Sequence, residues 1–252
     1  MIQGLYTAAS GMVATDRRQS AIANNIANAS TAGFRSVSAV QEGFYKVFSG
    51  KLRQPAYFNA LPGPAGGTRV AETYTNLSQG TLRTADNPLS LALEGPGFFA
   101  VDTPDGEAFT RSGDFTQSLD GRLVTRNGFA VQSMDGQPID VRGGRVEIND
   151  RGEVFVDGTP AGQVRVVEFA DPQRLERIGS SLFRAPDGVA DQMAQSAGTR
   201  VMQSMLETSN VNLPKEMIRL TLGLRAYEAN QRVVTAIDGT VGRLIDQVAM
   251  PR

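Results

Sequence analysis

The fold of this chain is decided by residues 215 to 250, which read KEMIRLTLGLRAYEANQRVVTAIDGTVGRLIDQVAM. Apolar side chains recur there every seventh residue, at Leu220, Tyr227, Val234, Val241 and Val248, and Leu224, Ile237, Leu244 and Ile245 widen the column into a stripe. This spacing predicts one long helix with one face against a partner helix. At ~1.5 Å per residue it would extend about 54 Å, so it needs an equally long neighbour. Ser209 and Asn210 are candidate caps, and Pro214 suits the first turn because it lacks an N–H donor.

The first 28 residues carry a second helical pattern. Two adjacent columns of its surface hold apolar or small side chains: Leu5, Met12 and Ile26 in one, interrupted by Gln19, and Ala8, Thr15, Ile22 and Ala29 in the other. This narrow stripe of small side chains favours close packing of helix on helix. Polar turn formers from Asn28 onward, and then Gly33, which can adopt a positive φ, predict the end of the helix.

Between the two helical patterns, the apolar residues recur at every second position instead of at helical spacing. From Leu89 to about Phe183, short β-rich runs are separated by Asp-Gly and Asn-Gly pairs. These pairs predict tight hairpins, because both central positions of a type I′ turn need φ > 0. Asp171-Pro172 predicts a short helix through Arg177. Residues 34–88 show no clear period. An extended linker with short strands and a partly disordered loop are equally good interpretations of this segment.

The predicted fold class is therefore α+β. Long N- and C-terminal helices, paired as a coiled coil, flank a central antiparallel, turn-rich β domain. The predicted boundaries are an N-terminal helical segment at 1–33, a linker at 34–88, the β domain at 89–205 and a C-terminal helical segment at 206–252.

The composition excludes several classes of function. Lys and Arg number 25 against 26 Asp and Glu, a net charge of −1, so we expect no nucleic-acid partner. The chain has no cysteine and no histidine, which removes disulfides, thiol chemistry and the usual general base near neutral pH. No apolar run approaches the ~20 residues of a membrane span, so we expect no direct membrane insertion. The N-terminus lacks a basic start followed by an apolar block, and we expect no cleaved signal peptide.

One short motif resembles a cofactor site. Gly95 to Ala100 matches G-x-G-x-x-A, the dinucleotide fingerprint, which requires a helix directly after the glycines. Phe98 to Val101 instead predicts a strand. Glycines at a strand entry are the better interpretation, and we expect no cofactor and no metal.

Two pairs of acids are candidates for glycoside hydrolysis, namely Asp102 with Asp105 and Glu147 with Asp150. These acids lie at turn positions, where Asp is expected for backbone reasons. We therefore expect no catalytic site, and we predict that the protein is not an enzyme.

Both ends of the chain carry signatures. They are Ala23-Asn24-Asn25-Ile26-Ala27-Asn28 with Thr31-Ala32-Gly33-Phe34-Arg35, and Leu206-Glu207-Thr208-Ser209-Asn210-Val211-Asn212 with Arg225-Ala226-Tyr227-Glu228-Ala229-Asn230. In this order they resemble the end signatures of bacterial flagellar axial proteins, the family of rod, hook and hook-junction subunits. The middle segments Ser78-Gln79-Gly80, Asn87 to Leu93 and Gly97-Phe98-Phe99 are similar to the β region of the rod proteins. The length of the chain is most similar to that of a proximal or distal rod protein.

The resemblance implies a structural subunit of the basal-body rod that self-assembles into a hollow helical tube and transmits torque from motor to hook. The implied partners are copies of the chain, other rod, hook and ring proteins, and the flagellar type III export apparatus. The implied location is the basal body, spanning the periplasm and cell wall. The alternatives are a hook or hook-junction subunit, a peptidoglycan-cleaving enzyme, and a free-standing coiled-coil adhesin.

We expect helix packing and subunit contacts at the stripe positions: Leu5, Met12, Ile22, Ile26, Leu220, Leu224, Tyr227, Val234, Val241 and Val248. For each of them, a contact within the subunit is an equally good expectation. Asn24, Asn25 and Asn28 are expected to bond backbone groups at the helix end or across subunits, and Gly33 to serve a turn. Before assembly the end helices would lack partners, so we expect their folding to be coupled to assembly. Gly239 and Gly242 either allow close helix approach or mark a kink.

Overall fold

The computed structural model of the chain describes residues 2–43, 68–179, 181–186, 193–195 and 198–249. The chain divides into two compact units. Unit 1 comprises residues 1–27, 37–75 and 212–252, and unit 2 comprises residues 28–36 and 76–211. This division differs from the sequence-based boundaries because the segments next to the helices, 28–36 and 206–211, hydrogen-bond to strands that belong to unit 2. The middle of the predicted linker, residues 44–67, lies outside the described residues.

Unit 1 is built on two helices, α1 (Ile2–Ala27) and α2 (Leu213–Ala249), within two residues of the predicted bounds. They pack side by side and antiparallel. A two-stranded antiparallel sheet of β1 (Val37–Gly43) and β2 (Thr68–Thr75), which runs from the pair Val37↔Thr75 to Gly43↔Thr68, lies against α1. Neither helix, as far as the structure describes them, combines the length and the hydropathy that crossing a bilayer demands.

Unit 2 is an antiparallel β structure. Its strands are β3 (Leu82–Thr84), β4 (Leu91–Glu94), β5 (Phe98–Thr103), β6 (Gly106–Thr110), β7 (Phe115–Gln117), β8 (Leu123–Thr125), β9 (Ala130–Val131), β10 (Val146–Ile148), β11 (Glu153–Val156), β12 (Thr159–Gln163), β13 (Val166–Phe169), β14 (Glu176–Gly179), β15 (Leu182–Arg184), β16 (Met193–Gln195), β17 (Arg200–Gln203) and β18 (Met205–Glu207). The main sheet has the order β14-β15-β6-β5-β9-β8-β7, with β13 joining β5 to β16. Strands β10, β11 and β12 form a second sheet, and β17 and β18 pair with β4 and β3.

Strand β5 is buried on both faces. Because successive side chains of a strand point to opposite faces, alternate residues of β5 belong to two different hydrophobic clusters. Phe99 and Val101 belong to the larger cluster, whereas Phe98 and Ala100 belong to the smaller one. Aromatic rings meet edge to face on each side, with the Phe99 and Phe115 centroids 5.0 Å apart and those of Phe98 and Phe169 5.7 Å apart. A strand therefore follows Gly95 and Gly97, and the helix required for a dinucleotide site is absent from this described segment.

The Asp-Gly and Asn-Gly pairs lie at turns, but the predicted turn type is right for Asp157-Gly158 and wrong for the others. Asp157 and Gly158 have φ of 50° and 80°, as a type I′ turn requires. In the pairs that end in Gly121, Gly128 and Gly136, only the glycine has a positive φ. Its N–H donates a hydrogen bond to the carbonyl three residues earlier. These are type I turns followed by a left-handed glycine, the three-residue alternative for a hairpin.

The predicted helix after Asp171-Pro172 is shorter than expected. It is a single 3₁₀ turn, Pro172–Arg174, whose N-cap Asp171 accepts from the N–H of Gln173. The expectation that it continues through Arg177 is wrong, because β14 begins at Glu176 and pairs with β15.

Candidate assembly surface

The contacts between α1 and α2 include glycines on both helices, Gly4 and Gly11 on α1 and Gly223 on α2. A Cβ placed on Gly4 would meet Ile237 Cδ1 at 3.4 Å, one on Gly11 would meet Asn230 Nδ2 at 3.1 Å, and one on Gly223 would meet Gln19 Cγ at 3.3 Å. Residue numbers rise along α1 as they fall along α2, which defines the antiparallel register. In this register α2 continues about ten residues past the start of α1.

The shielded positions of α2 alternate in steps of three and four. Apart from Arg219, which forms an ion pair with Glu216, the buried or half-buried side chains are those of Glu216, Leu220, Gly223, Tyr227, Asn230, Val234, Ile237 and Val241. The predicted column of Leu220, Tyr227, Val234 and Val241 lies on this shielded face. The second column, Gly223 and Asn230 with Ile237, has the same seven-residue spacing and was not predicted as a whole, because glycine and asparagine are not apolar.

The other predicted stripe positions are less uniform. On α1, Ile22 is buried, Met12 and Ile26 are half-buried, and Leu5 is 41% exposed. On α2, Leu224 is 49% exposed. The side chain of Val248 lies outside the described part of the chain. The centre of the α1 stripe is the column of Ala8, Thr15 and Ile22, all buried.

Large apolar side chains remain exposed on both helices, away from the shielded stripe. They are Leu5, Tyr6 and Val13 on α1, and Leu213, Met217, Ile218, Leu222, Leu224, Val233, Leu244 and Ile245 on α2. Scattered single apolar residues are normal on a protein surface, but a set of this size on two helices is typical of an interaction surface. We take these side chains as the candidate assembly surface.

Asn25 ties the end of α1 to its neighbours within unit 1. Its amide accepts from the Val37 N–H and donates to the Val37 carbonyl, both at 2.8 Å, so it pairs with β1 as a backbone group would. It also lies 3.4 Å from the carboxylate of Glu216 on α2, and it is 1% exposed. Asn25 is thus a contact within the subunit. Asn24 is exposed, and Asn28 accepts from the Thr31 N–H through its carbonyl at 3.1 Å.

The cap of α2 is Asn212 rather than Ser209 or Asn210. The Asn212 side chain accepts from the Lys215 N–H at 3.0 Å. Asn210 instead belongs to unit 2, where its side chain accepts from the Ser36 N–H at 2.8 Å and donates to the carbonyls of Asn76 and Ser78. The Ser209 hydroxyl accepts from the Val211 N–H at 3.3 Å.

Unit 2 contains a buried ionic cluster of Arg35, Arg111 and Glu207, here called the Glu207 cluster. One carboxylate oxygen of Glu207 accepts from Arg35 at 2.5 Å and from the Gly80 N–H at 2.7 Å, and the other accepts from Arg111 Nε at 2.8 Å. All three side chains are at most 3% exposed. Burial lowers the pKa of Arg111 and the adjacent Glu207 carboxylate opposes that shift, while Arg111 also donates to the carbonyls of Gly95 and Gly97.

Gly33 joins the N-terminal signature to the Glu207 cluster. Its N–H donates to the Glu207 carbonyl at 2.8 Å, and its φ is 65°. A Cβ on this residue would lie 2.5 Å from the backbone carbonyl carbon of Arg111. The predicted role of Gly33 in a turn is consistent with this left-handed conformation, and the close backbone approach is a second reason for glycine.

Gly33→Ala should therefore destabilise unit 2 by at least ~2 kcal/mol, since the substitution combines a strained φ with a backbone clash. Urea unfolding followed by circular dichroism measures this loss. The control is Gly128→Ala, which keeps a positive φ but whose new Cβ meets no described atom within 4 Å. Equal losses in the two variants would show that the backbone approach at Gly33 is unimportant.

Three models of flagellar protein families match successive parts of the chain. Residues 5–35 match the flagella basal body rod protein model, residues 92–156 the flagellar hook protein FlgE/F/G D1 domain, and residues 202–247 the flagellar basal body rod FlgEFG protein C-terminal model.

Curated relatives match along nearly the whole chain. The flagellar basal-body rod protein FlgG of Borreliella burgdorferi is 32% identical over 96% of this chain and 97% of its own length. FlgG of Caulobacter vibrioides is 34% identical over 94% and 96% of the two chains, and the rod protein FlgF of Mesorhizobium japonicum is 31% identical over 90% of each. The chain belongs to the flagellar basal-body rod protein family. The resemblance drawn from the end signatures is thereby confirmed.

The structure gives several signature residues of this rod-family chain a physical role. Arg35, Gly33 and Glu207 come from the two end signatures and meet in the Glu207 cluster, whereas Arg111 comes from neither. The signatures alone do not reveal the cluster, because Glu207 is 172 residues from Arg35 and 96 from Arg111 in the sequence. The sequence indicates the cluster only through Arg35 and Glu207, which carry opposite charges within segments of mainly apolar and small residues.

Proposed function

We propose that this chain is a structural subunit of the bacterial flagellar basal-body rod, a drive shaft that assembles from copies of itself and related proteins. The observation that carries the proposal is the candidate assembly surface, a set of exposed apolar side chains on both helices of a rod-family chain. Such a surface is costly to leave in water, and burying one Leu or Ile is worth about 1.5–3 kcal/mol.

In the proposed assembly, α1 and α2 pair as a coiled coil within each subunit and pack against the helices of neighbouring subunits as the inner wall of a hollow tube. The three-and-four spacing of the shielded α2 positions supports coiled-coil packing. The exposed positions Leu5, Leu224, Leu244 and Ile245 are proposed to face other subunits. A contact repeated head to tail by a screw operation gives a filament rather than a closed ring.

Torque transmission follows from the packing. Close-packed interiors resist shear, so long helices that interlock along a tube oppose twist better than flexible linkers would. The β structure of unit 2 is proposed to add lateral contacts between neighbouring subunits.

The proposed partners are other rod, hook and ring proteins, and the flagellar type III export apparatus that would deliver the chain without a cleaved signal peptide. The proposed location is the basal body where it crosses the periplasm and cell wall. Folding of the end helices coupled to assembly would suit export through a narrow channel.

Concentrated purified protein tests the self-assembly directly. Electron microscopy should show hollow filaments above a critical concentration. A protein that stays monomeric at every concentration, and does not add to isolated basal bodies, would refute the proposal.

Gly239 and Gly242 provide a sharper test of contacts between subunits. A Cβ on either residue meets no atom of the described residues within 4 Å, so these glycines serve no close approach within the part of the chain that the structure describes. Gly239→Ala should raise the stability of α2 by up to ~1 kcal/mol. Gly239→Leu should keep the helix content measured by circular dichroism but prevent filament formation. Filaments of normal yield from Gly239→Leu would place Gly239 outside any helix contact.

Three alternatives have distinct tests. A hook or hook-junction subunit would leave complete rods when its gene is deleted. A peptidoglycan-cleaving enzyme would show muramidase activity that disappears when one acid, such as Asp102 or Glu147, is changed to its amide. An adhesin would be fully helical as a monomer, whereas the rod proposal predicts less helix in free monomers than the 26 and 37 residues of α1 and α2.

A further inference from the structure

Gln19 is a polar side chain in the interface between α1 and α2. Its Cγ lies 3.3 Å from the position that a Cβ on Gly223 would take. Its Nε2 is shielded from solvent and has no acceptor among the described residues. A shielded amide without an acceptor is unfavourable, and an apolar group of the same shape in its place can stabilise the fold. Gln19 therefore weakens the helix contact in which it lies.

The part of α1 that follows Gln19 is firmly held within unit 1. Ile22 is 4% exposed, and a buried isoleucine is among the larger contributions that one side chain makes to packing. Asn25 exchanges two hydrogen bonds of 2.8 Å with the backbone of Val37 on β1. We expect residues 20–27 to stay packed in the free subunit.

The part of α1 that precedes Gln19, residues 2–18, has the opposite pattern and is here called the α1 arm. Its buried side chains are small, namely those of Ala8, Ala14 and Thr15. Its exposed large apolar side chains are those of Leu5, Tyr6 and Val13. Because the gain from burial is proportional to the apolar area removed from water, the arm gains little inside its own subunit and more when a neighbour covers it.

We propose that the α1 arm opens from α2 at Gln19 in the free subunit, and that it closes when a second copy of the chain covers its exposed apolar side chains. This inference rests on the proposed function, because it names what restrains assembly before subunits meet. When only a fraction of the free subunits is competent to bind, the apparent affinity falls by that fraction. Gln19 is thus a brake on premature assembly.

Hydrogen exchange of the full-length free chain tests the opening without requiring filaments. Backbone amides of the α1 arm should exchange faster than those of residues 20–27, because a helix released from its partner is barely stable in water. Gln19→Met removes the shielded amide and keeps the length of the side chain, so it should slow exchange in the arm about 5- to 100-fold. The matched control is Gln231→Met, the same change at an exposed position of α2, which should leave exchange in the arm unchanged.

Assembly provides a second measurement. Gln19→Met should lower the critical concentration, measured by sedimentation, about 3- to 30-fold, because more of the free subunits have the arm closed. A full-length chain that carries both Gly11→Cys and Asn230→Cys should show a similar gain when it is oxidised. A Cβ on Gly11 lies 3.6 Å from Asn230 Cγ, which is within reach of a disulfide, and the chain has no other cysteine. Reduction of this disulfide should abolish the gain.

The outcomes separate this inference from the proposed function. Equal protection of the α1 arm and residues 20–27 in the unmodified chain, or exchange in the arm that Gln19→Met does not slow, overturns the inference. Filaments whose critical concentration is unchanged or raised by Gln19→Met overturn the brake and leave the proposed function standing. If the unmodified protein never forms filaments, the proposed function fails, while slower exchange in the arm of Gln19→Met still supports the opening.

Discussion

Replacing Glu207 by glutamine should destabilise unit 2 by about 3–5 kcal/mol, the usual cost of removing one partner from a buried ionic group. Arg35 and Arg111 would remain buried at about 2% exposure without a carboxylate to compensate them. The free energy of unfolding of a typical domain is only about 5–15 kcal/mol. The variant should therefore be close to unfolding at moderate temperature.

Thermal and urea unfolding of the full chain, followed in the far-ultraviolet, measure this loss. The control is Asp140→Asn, which breaks an ion pair of similar geometry at the surface, between Asp140 and Arg142. That pair is solvated and screened, so its loss should leave the transition midpoint unchanged within error. Equal effects of the two substitutions would mean that Glu207 contributes no more than a surface residue.

Val234→Asp should prevent rod formation while leaving unit 2 folded. Val234 lies on the shielded face of α2, four residues from Asn230 and three from Ile237, both of which face α1. A carboxylate there loses water without gaining a partner, at a cost of about 2 kcal/mol or more. The marginal pairing of α1 with α2 would be lost first, because an isolated helix of this kind is barely stable in water.

The adjacent residue provides the matched control. Val233 is 47% exposed, so Val233→Asp should keep the helix content of the free chain and impair only contacts between subunits. Circular dichroism of the purified variants separates the two effects, and swimming assays report assembly. Normal motility in a strain carrying Val234→Asp would refute the assignment of Val234 to helix packing.

The helical part of the fold was largely predictable because its signal is local and periodic. The seven-residue column from Leu220 to Val241 identified the shielded face of α2, and the polar run after Asn28 gave the end of α1 within two residues. The column through Gly223 and Asn230 was missed, because close approach of two helices selects small or hydrogen-bonding residues that no hydrophobic pattern detects.

The β structure was predictable in outline and not in pairing. Asp-Gly and Asn-Gly pairs marked turn positions, but the choice between a type I′ turn and a type I turn with a left-handed glycine depends on strand register. Strands β17 and β18 pair with β4 and β3, more than 100 residues earlier, and no local pattern specifies such partners. The Glu207 cluster depends on these pairings, which is why Arg111 could not be recognised from sequence.

The most direct test of the central proposal is electron microscopy of basal bodies from a strain that lacks this chain. A rod subunit predicts structures that stop within the rod and carry no hook, with growth restored by the unmodified gene. Complete rods with attached hooks in the deletion strain would contradict the account.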